Sequence, residues 1–452
     1  MKFPVAKKLS FPIHVFFCLL IFSVAELYCA GADIMFAQKL SDALENGTLS
    51  QAIALFDEIP EELSDDVDML VLKSSLLLSA GKDKEAEKIA SELLAANTKN
   101  MDVLSLNVMI AKKKNDSATK SKLIKQMLAI EPLNADANIE LANDQALKRN
   151  YRSARDYYKK ALSSDPYNET ALFGYGKMCY YMENDSEAKS AFKKLLKVDP
   201  DNSGANGYLG KYEAESNQYL KAIEYVNKAI AADPYNSDWY FDLGTYARYT
   251  GDYNGAEEAW KKTVELEPEY FLGYVYLAGL YEELEKNDLA LEYYKKAVAK
   301  NPDYYYAYES IGVFSWAKGN WSESYKAFES ASAKNPENLS YKLMMCACLM
   351  KQNKFQECKT YSESVMKKIT DRQGIEYLLV RMYHDRAGDS NVVLKVQNET
   401  NRTKKAKYLF YLALYYELTG KASLSQKYYA EVASNQSAIF FEYKIAQWRT
   451  AK

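Results

Sequence analysis

Downstream of residue 32, few side chains could carry catalytic or metal chemistry: Cys179, Cys346, Cys348, Cys358, His384 and the glutamate pairs Glu257-Glu258 and Glu282-Glu283. The chain has only 2 histidines, and the other, His14, lies in the N-terminal leader, so a site built from several imidazoles is excluded. Cys346 and Cys348 flank one alanine, which on a helix points the thiols apart and is not a zinc-binding spacing. Adjacent glutamates can serve acid–base work, but on a helix surface solvation explains them more economically. His384 falls in a helical stretch with no evident nucleophile, and neither a glycine-rich phosphate loop nor a nucleophile elbow occurs. This inventory points to a noncatalytic protein that needs no metal and no cofactor.

The elements that position these residues follow a period. Of 452 residues, 48% are apolar and 26% charged, enough to bury a large core. Lys plus Arg at 58 against Asp plus Glu at 61 gives a net charge of -3, which disfavours a nucleic-acid partner. Prolines fall at 132, 166, 200, 234, 268, 302 and 336, one constant interval with no slippage. Five of the seven, at 132, 166, 200, 234 and 336, sit in text such as Asp165-Pro166-Tyr167-Asn168, where proline ends one helix and the following asparagine can cap the next. The same capping chemistry accounts for Asn-x-Ser/Thr tripeptides at Asn168 and Asn338 without glycosylation. With each repeat counted so that its proline stands at position 32, position 8 reads Ala142, Gly176, Gly210, Gly244, Ala278 and Gly312. Position 20 reads Ala154, Ala188, Ala222, Ala256, Ala290 and Ser324. Residues this small let two antiparallel helices approach closely, while bulky residues at positions 4, 7 and 24 fill the space around them.

In both residue pattern and interval the chain resembles the tetratricopeptide repeat (TPR) family, whose unit is about 34 residues long. The resemblance implies an all-α, right-handed superhelical solenoid of about twelve helix-turn-helix pairs. The six clear repeats span 135–338. Degenerate repeats are expected over 33–134 and, with a loop, over 339–405; a last repeat and a capping helix occupy 406–452. The basic run Arg402 to Lys407 is expected in a solvated inter-helix loop.

The resemblance also implies that a protein or peptide partner lies in a concave groove lined by the first helices, touching positions 2, 5, 9, 12 and 13. Carried over, these positions place Phe173, Lys177, Tyr180, Tyr181, Lys211, Phe241, Arg248, Tyr249 and Trp316 in the groove, with aromatic anchors supplying area and cations fixing an acidic group. The carboxylate clamp of chaperone-binding members does not match: Asn143 is present, but Ile139, Gly174, Gly204 and Tyr208 stand where its other residues belong. Cys346 and Cys358 occupy positions 8 and 20, which face each other across a helix pair, so a disulfide between them is conceivable.

At the N-terminus, Lys2, Lys7 and Lys8 precede an apolar stretch from Leu9 to Ala25, shorter than the roughly 20 residues of a membrane span. Ala30-Gly31-Ala32 then supplies the small residues of a signal-peptide cleavage site, so 1–32 is expected to be a signal peptide cut before Asp33. An uncleaved anchor and a lipid-modified Cys29 are alternatives, the second disfavoured by the bulky Tyr28 before it. The expectation is a scaffold of a bacterial envelope or periplasm. Its rivals are a module binding a glycan or other small ligand, a regulatory arm of an envelope enzyme or secretion complex, and self-association through an exposed aromatic cap around Phe440, Phe441, Tyr443 and Trp448.

Overall fold

The computed structural model describes residues 31–434 and 440–451. The leader through residue 30, with His14 and Cys29, lies outside the described residues. Among the described residues there are 26 α-helices, one short 3-10 helix and no strand, so the all-α expectation holds. No helix among them is long and apolar enough to cross a membrane. The chain divides into two compact units, one ending at Ala205 and the other beginning at Asn206.

The first unit runs through α1 (Gly31–Asn46), α2 (Leu49–Ala54), α3 (Glu61–Ser64), α4 (Val67–Ser79), α5 (Asp83–Ala96), α6 (Met101–Lys113), α7 (Ser117–Ile130), α8 (Ala135–Leu147), α9 (Tyr151–Ser164), α10 (Glu169–Tyr181) and α11 (Asp185–Val198). Helix α12 (Ser203–Glu215) contains the division. The second unit continues with α13 (Tyr219–Ala232), α14 (Ser237–Tyr249), α15 (Tyr253–Leu266), α16 (Phe271–Glu283), α17 (Asn287–Lys300), α18 (Tyr305–Ala317), α19 (Trp321–Lys334), α20 (Leu339–Lys351) and α21 (Phe355–Met366). It ends with α22 (Ile375–Asp385), α23 (Asp389–Gln397), α24 (Arg402–Leu418), α25 (Ala422–Ala433) and α26 (Phe441–Thr450).

The period of the sequence reappears in the backbone. Most first helices open on a polar cap: Asp66, Asn100, Asn134, Asn168, Asn236 and Asn338 accept N–H groups of the turn that follows, whereas Tyr270 and Tyr304 stand at that place without a side-chain cap. The capping series therefore reaches two repeats further back than the prolines. Each hairpin turn places one residue in the left-handed region: Gly81, Asn115, Arg149, Glu183, Asn217, Gly251, Glu285, Gly319 and Asn353 have φ between 56° and 83°. The next amide bonds back five residues, as from Asn184 to the Cys179 carbonyl at 2.9 Å, which satisfies carbonyls that the helix end leaves open.

Positions 8 and 20 pack as their size requires. Ala154, Ala188, Ala222, Ala256 and Ala290 are fully buried, and a Cβ built on Gly176 would stand 2.6 Å from the ring of Phe192, the position-24 residue of its own repeat. Gly244 meets Trp260 and Gly312 meets Phe328 in the same way.

The C-terminal repeats add detail that the pattern does not carry. The poorest match, 373–405, holds a shortened pair, α22 and α23, joined through Arg386 at φ 55° and Gly388 at φ 89°. The basic run from Arg402 is helical and opens α24, capped by Asn401. The middle of α20, from Leu343 to Met350, and of α24, from Tyr408 to Tyr416, is buried on every side, and the two helices touch each other directly. Tyr411 donates its hydroxyl to the Ser340 carbonyl at 3.1 Å, and Lys351 pairs with Glu417 at 2.9 Å. Finally, α26 does not merely cover the last pair, α24 and α25: it also packs on α18.

Candidate functional site

In the first unit, α10 carries Phe173, Lys177, Tyr180 and Tyr181 on successive turns. Phe173 is half-buried, and its ring lies where a Cβ on Gly204 would stand, so the glycine admits the ring. The Lys177 ammonium sits 5.5 Å from the centre of that ring, inside cation–π range. It forms no ion pair among the described residues. Tyr181 is 47% exposed and lies against Tyr151, centroids 5.1 Å apart at 29°, and edge-on to Tyr180 at 5.9 Å. Asn143, the one match to the chaperone clamp, accepts the Tyr158 hydroxyl at 2.6 Å and serves packing.

In the second unit the expected cations already have partners. Lys211 pairs with Asp242 at 2.9 Å, and burial raises the Asp242 carboxyl above its ordinary range while Lys211 opposes that shift. Arg248 reaches Glu283 at 2.8 Å, and Tyr253 donates its hydroxyl to the same carboxylate at 3.0 Å; hydrogen bonding from Arg248 holds Glu283 below its ordinary range. Both cations were expected to meet a ligand's acidic group, and carboxylates of this chain stand there instead. Tyr249 is 60% exposed but stacks on Tyr219, centroids 4.6 Å apart at 7°. Phe241 packs edge-on against Tyr270 and Tyr276.

Trp316 needs correction as a groove residue. It is 1% exposed and packs edge-on against Trp321, because the closing of α20 and α24 turns this stretch of the first helices into core. Cys346 and Cys358 also differ from expectation. They do face each other, but both are free buried thiols in hydrogen-bond contact rather than a bridge, and that contact with burial pushes the Cys346 thiol up. The glutamate pairs are tied rather than simply solvated. Glu257 accepts from Lys261 and Tyr281, while Glu282 accepts from Tyr294 and Lys444. His384 contacts only its neighbour Asp385 among hydrogen-bond partners, at 2.6 Å, and no group of residues able to hold a metal occurs among the described residues.

Two features escaped the reading of the sequence. Position 17 carries Tyr151, Tyr219, Tyr253 and Trp321, and Tyr151 and Tyr219 stack on the position-13 tyrosine of the next repeat. That column keeps the interval of the prolines or a multiple of it and was legible. The second is α26. Lys444 forms an ion pair with Glu282 at 2.7 Å across 162 residues, and nothing local announces that contact.

With the repeat, its caps and its packing in hand, comparison with known proteins gives the class. The tetratricopeptide repeat family model matches residues 180–237, 241–305 and 277–338. Over these segments, about a third of the chain, the sequence matches the tetratricopeptide repeat family. Among solved structures, MamA is 28% identical and covers 36% of this chain and 94% of its own, with a TM-score of 0.33. YrrB, described as a TPR protein with an unusual peptide-binding site, is 24% identical over 41% of this chain and 95% of its own, with a TM-score of 0.35. A TPR protein from Parabacteroides merdae is 18% identical over 54% of this chain and 96% of its own, with a TM-score of 0.39. No curated protein matches the sequence.

Proposed function

We propose that this chain is a noncatalytic protein-interaction scaffold of the cell envelope or periplasm that holds a peptide segment or partner protein against the face of its first helices. The match of residues 180–237 and 241–338 to the tetratricopeptide repeat family supports the scaffold role. The observation that carries the binding site is Lys177: its ammonium rests on the Phe173 ring, with the exposed Tyr181 one turn further on and no ion pair among the described residues. A cation held on an aromatic face suits a carboxylate-bearing extended segment. Export is supported by the basic residues Lys2, Lys7 and Lys8, the apolar stretch after them and the small residues at 30–32.

A photo-crosslinking residue at Thr170, which is exposed on the same helix, tests the site in the native cell. The expected result is a discrete adduct that disappears in the Lys177→Glu background. No adduct, or one that Lys177→Glu leaves intact, would move the binding face elsewhere. Cell fractionation with N-terminal sequencing tests the location, and a mature chain starting at Asp33 is expected; a cytosolic chain starting at Met1 would overturn export.

A further inference from the structure

Helix α26 presents Phe441, Lys444, Ile445 and Trp448, spaced i, i+3, i+4 and i+7, as one stripe. That stripe lies on side chains of other repeats. Phe441 stacks near Phe328 and Tyr341, at 5.6 and 6.3 Å. Trp448 packs on Phe314 at 6.0 Å, and the Lys444 ammonium lies 4.5 Å from the Phe314 ring while pairing with Glu282 at 2.7 Å. A second cation, Arg449, makes a two-point contact with Glu417 at 3.2 Å. Glu282, Phe314, Tyr341 and Glu417 all belong to first helices, so α26 lies along the face on which this class of solenoid would seat a ligand. Glu309 also stands on this face, its carboxyl raised by burial despite the Tyr341 hydroxyl bonded to it. The face offers carboxylates and aromatic rings, with Lys351 sharing Glu417 and Lys407 near Glu309, and its occupant is basic and aromatic.

The occupant carries one flaw. Glu442 is fully buried, receives the hydroxyls of Ser340 and Tyr411, pairs with no cation among the described residues, and leaves its Oε2 without a hydrogen bond. Burying a carboxylate without a counter-charge is costly. A helix with the same stripe and no acid at that place would fit the site better than α26 does.

We propose that the first-helix face from α16 to α24 is a docking site for an amphipathic helix bearing aromatic residues at i and i+7 and lysine at i+3, and that α26 is a resident competitor which such a partner helix displaces. This rests on the scaffold reading but uses a different surface from Lys177, so the two stand or fall separately.

The test uses the full chain and a synthetic peptide of residues 440–451 in which Glu442 is replaced by glutamine. Hydrogen exchange of the wild-type chain is followed with and without excess peptide. Exchange in Phe441–Thr450 of the chain is expected to accelerate at least tenfold, while α18 and α20 stay protected; unchanged exchange in α26 would overturn the proposal. A second arm measures peptide anisotropy with the full chain carrying Lys444→Glu and Trp448→Ala. Binding at least tenfold tighter than to wild type is expected, and a Lys444→Glu peptide should regain affinity only when the chain carries Glu282→Lys. Equal binding by all chains would overturn the proposal even if exchange had changed, and concentration-dependent dimers that vanish in the α26 variant would assign the site to a second copy instead. If the variant chain loses helicity, the exchange arm on the wild type decides alone. Loss of the Lys177 adduct site with peptide exchange intact would sink only the first proposal, and the converse result only this one.

Discussion

At the residue scale, the repeat asks the same two questions at each turn, and different residues answer them at different cost. The left-handed hairpin position is glycine at 81, 251 and 319 but a charged residue at 149, 183 and 285. A side chain with a Cβ loses about 1–2 kcal/mol in that region, against the roughly 0.5–1 kcal/mol of extra entropy a glycine loses on folding. Glu285→Gly is therefore expected to stabilise the second unit by about 0.5–1 kcal/mol in denaturant unfolding; an unchanged or lowered midpoint would contradict the turn geometry. The position-8 glycine shows the opposite need. Gly176→Ala would drive a methyl into the Phe192 ring and is expected to cost about 1–3 kcal/mol. Gly279, inside α16 with nothing within 4 Å of its added Cβ, should gain about 0.5–1 kcal/mol as alanine. Equal effects at 176 and 279 would show that helix propensity, not ring packing, sets position 8.

At the element scale, helix starts and crowded charges decide how firmly each pair stands. Asn168 accepts the Ala171 amide at 3.0 Å, and Asn168→Ala is expected to lower stability by about 1 kcal/mol in thermal or denaturant unfolding. The first turn of α8 holds Asp136, which keeps solvent access yet is hemmed in by neighbours, so that desolvation and then Asp102, Glu140 and Asp165 raise its carboxyl. A raised carboxyl is a burden to the folded state when ionised. Asp136→Asn should therefore stabilise the protein at neutral pH, and its advantage should shrink as pH falls through the raised value and vanish below the ordinary 3.8, where the wild type is protonated in both states. An advantage independent of pH would show that shape rather than charge is at work. The repeat at 373–405 keeps a pair of helices although it lacks the proline and the small pair, because α22 is covered by α20 and α24.

At the scale of the whole molecule, each unit is a row of pairs in which stability passes between neighbours, but the end of the second unit is more nearly a closed core. Leu379, Phe410, Leu412 and Met344 are all fully buried in one cluster that joins α20, α22 and α24. Amides of α20 and α24 are expected to be the slowest to exchange in that unit, and those of α13, at the other end, faster. Uniform protection across the unit would argue against a localised core. Lys177→Glu, at a half-buried position of α10, should change stability by no more than about 1 kcal/mol through loss of the Phe173 contact, so a lost adduct from a chain that stays folded reads as lost binding.

What the sequence determined by itself was everything governed by local chemistry that recurs once per repeat: proline and asparagine at the boundaries, small residues at positions 8 and 20, and bulky residues opposite them. These act between neighbours in the chain or in the stack, so periodicity alone exposes them. Tertiary structure decided which side chains are taken up by one another. Trp316, Lys211 and Arg248 look like groove residues in the linear pattern, and only the fold shows the first buried and the other two paired with Asp242 and Glu283. The C-terminal helix is the extreme case. Lys444 and Glu282 are brought together by the path of the intervening repeats, and a contact set by that path leaves no periodic trace in the residues that make it.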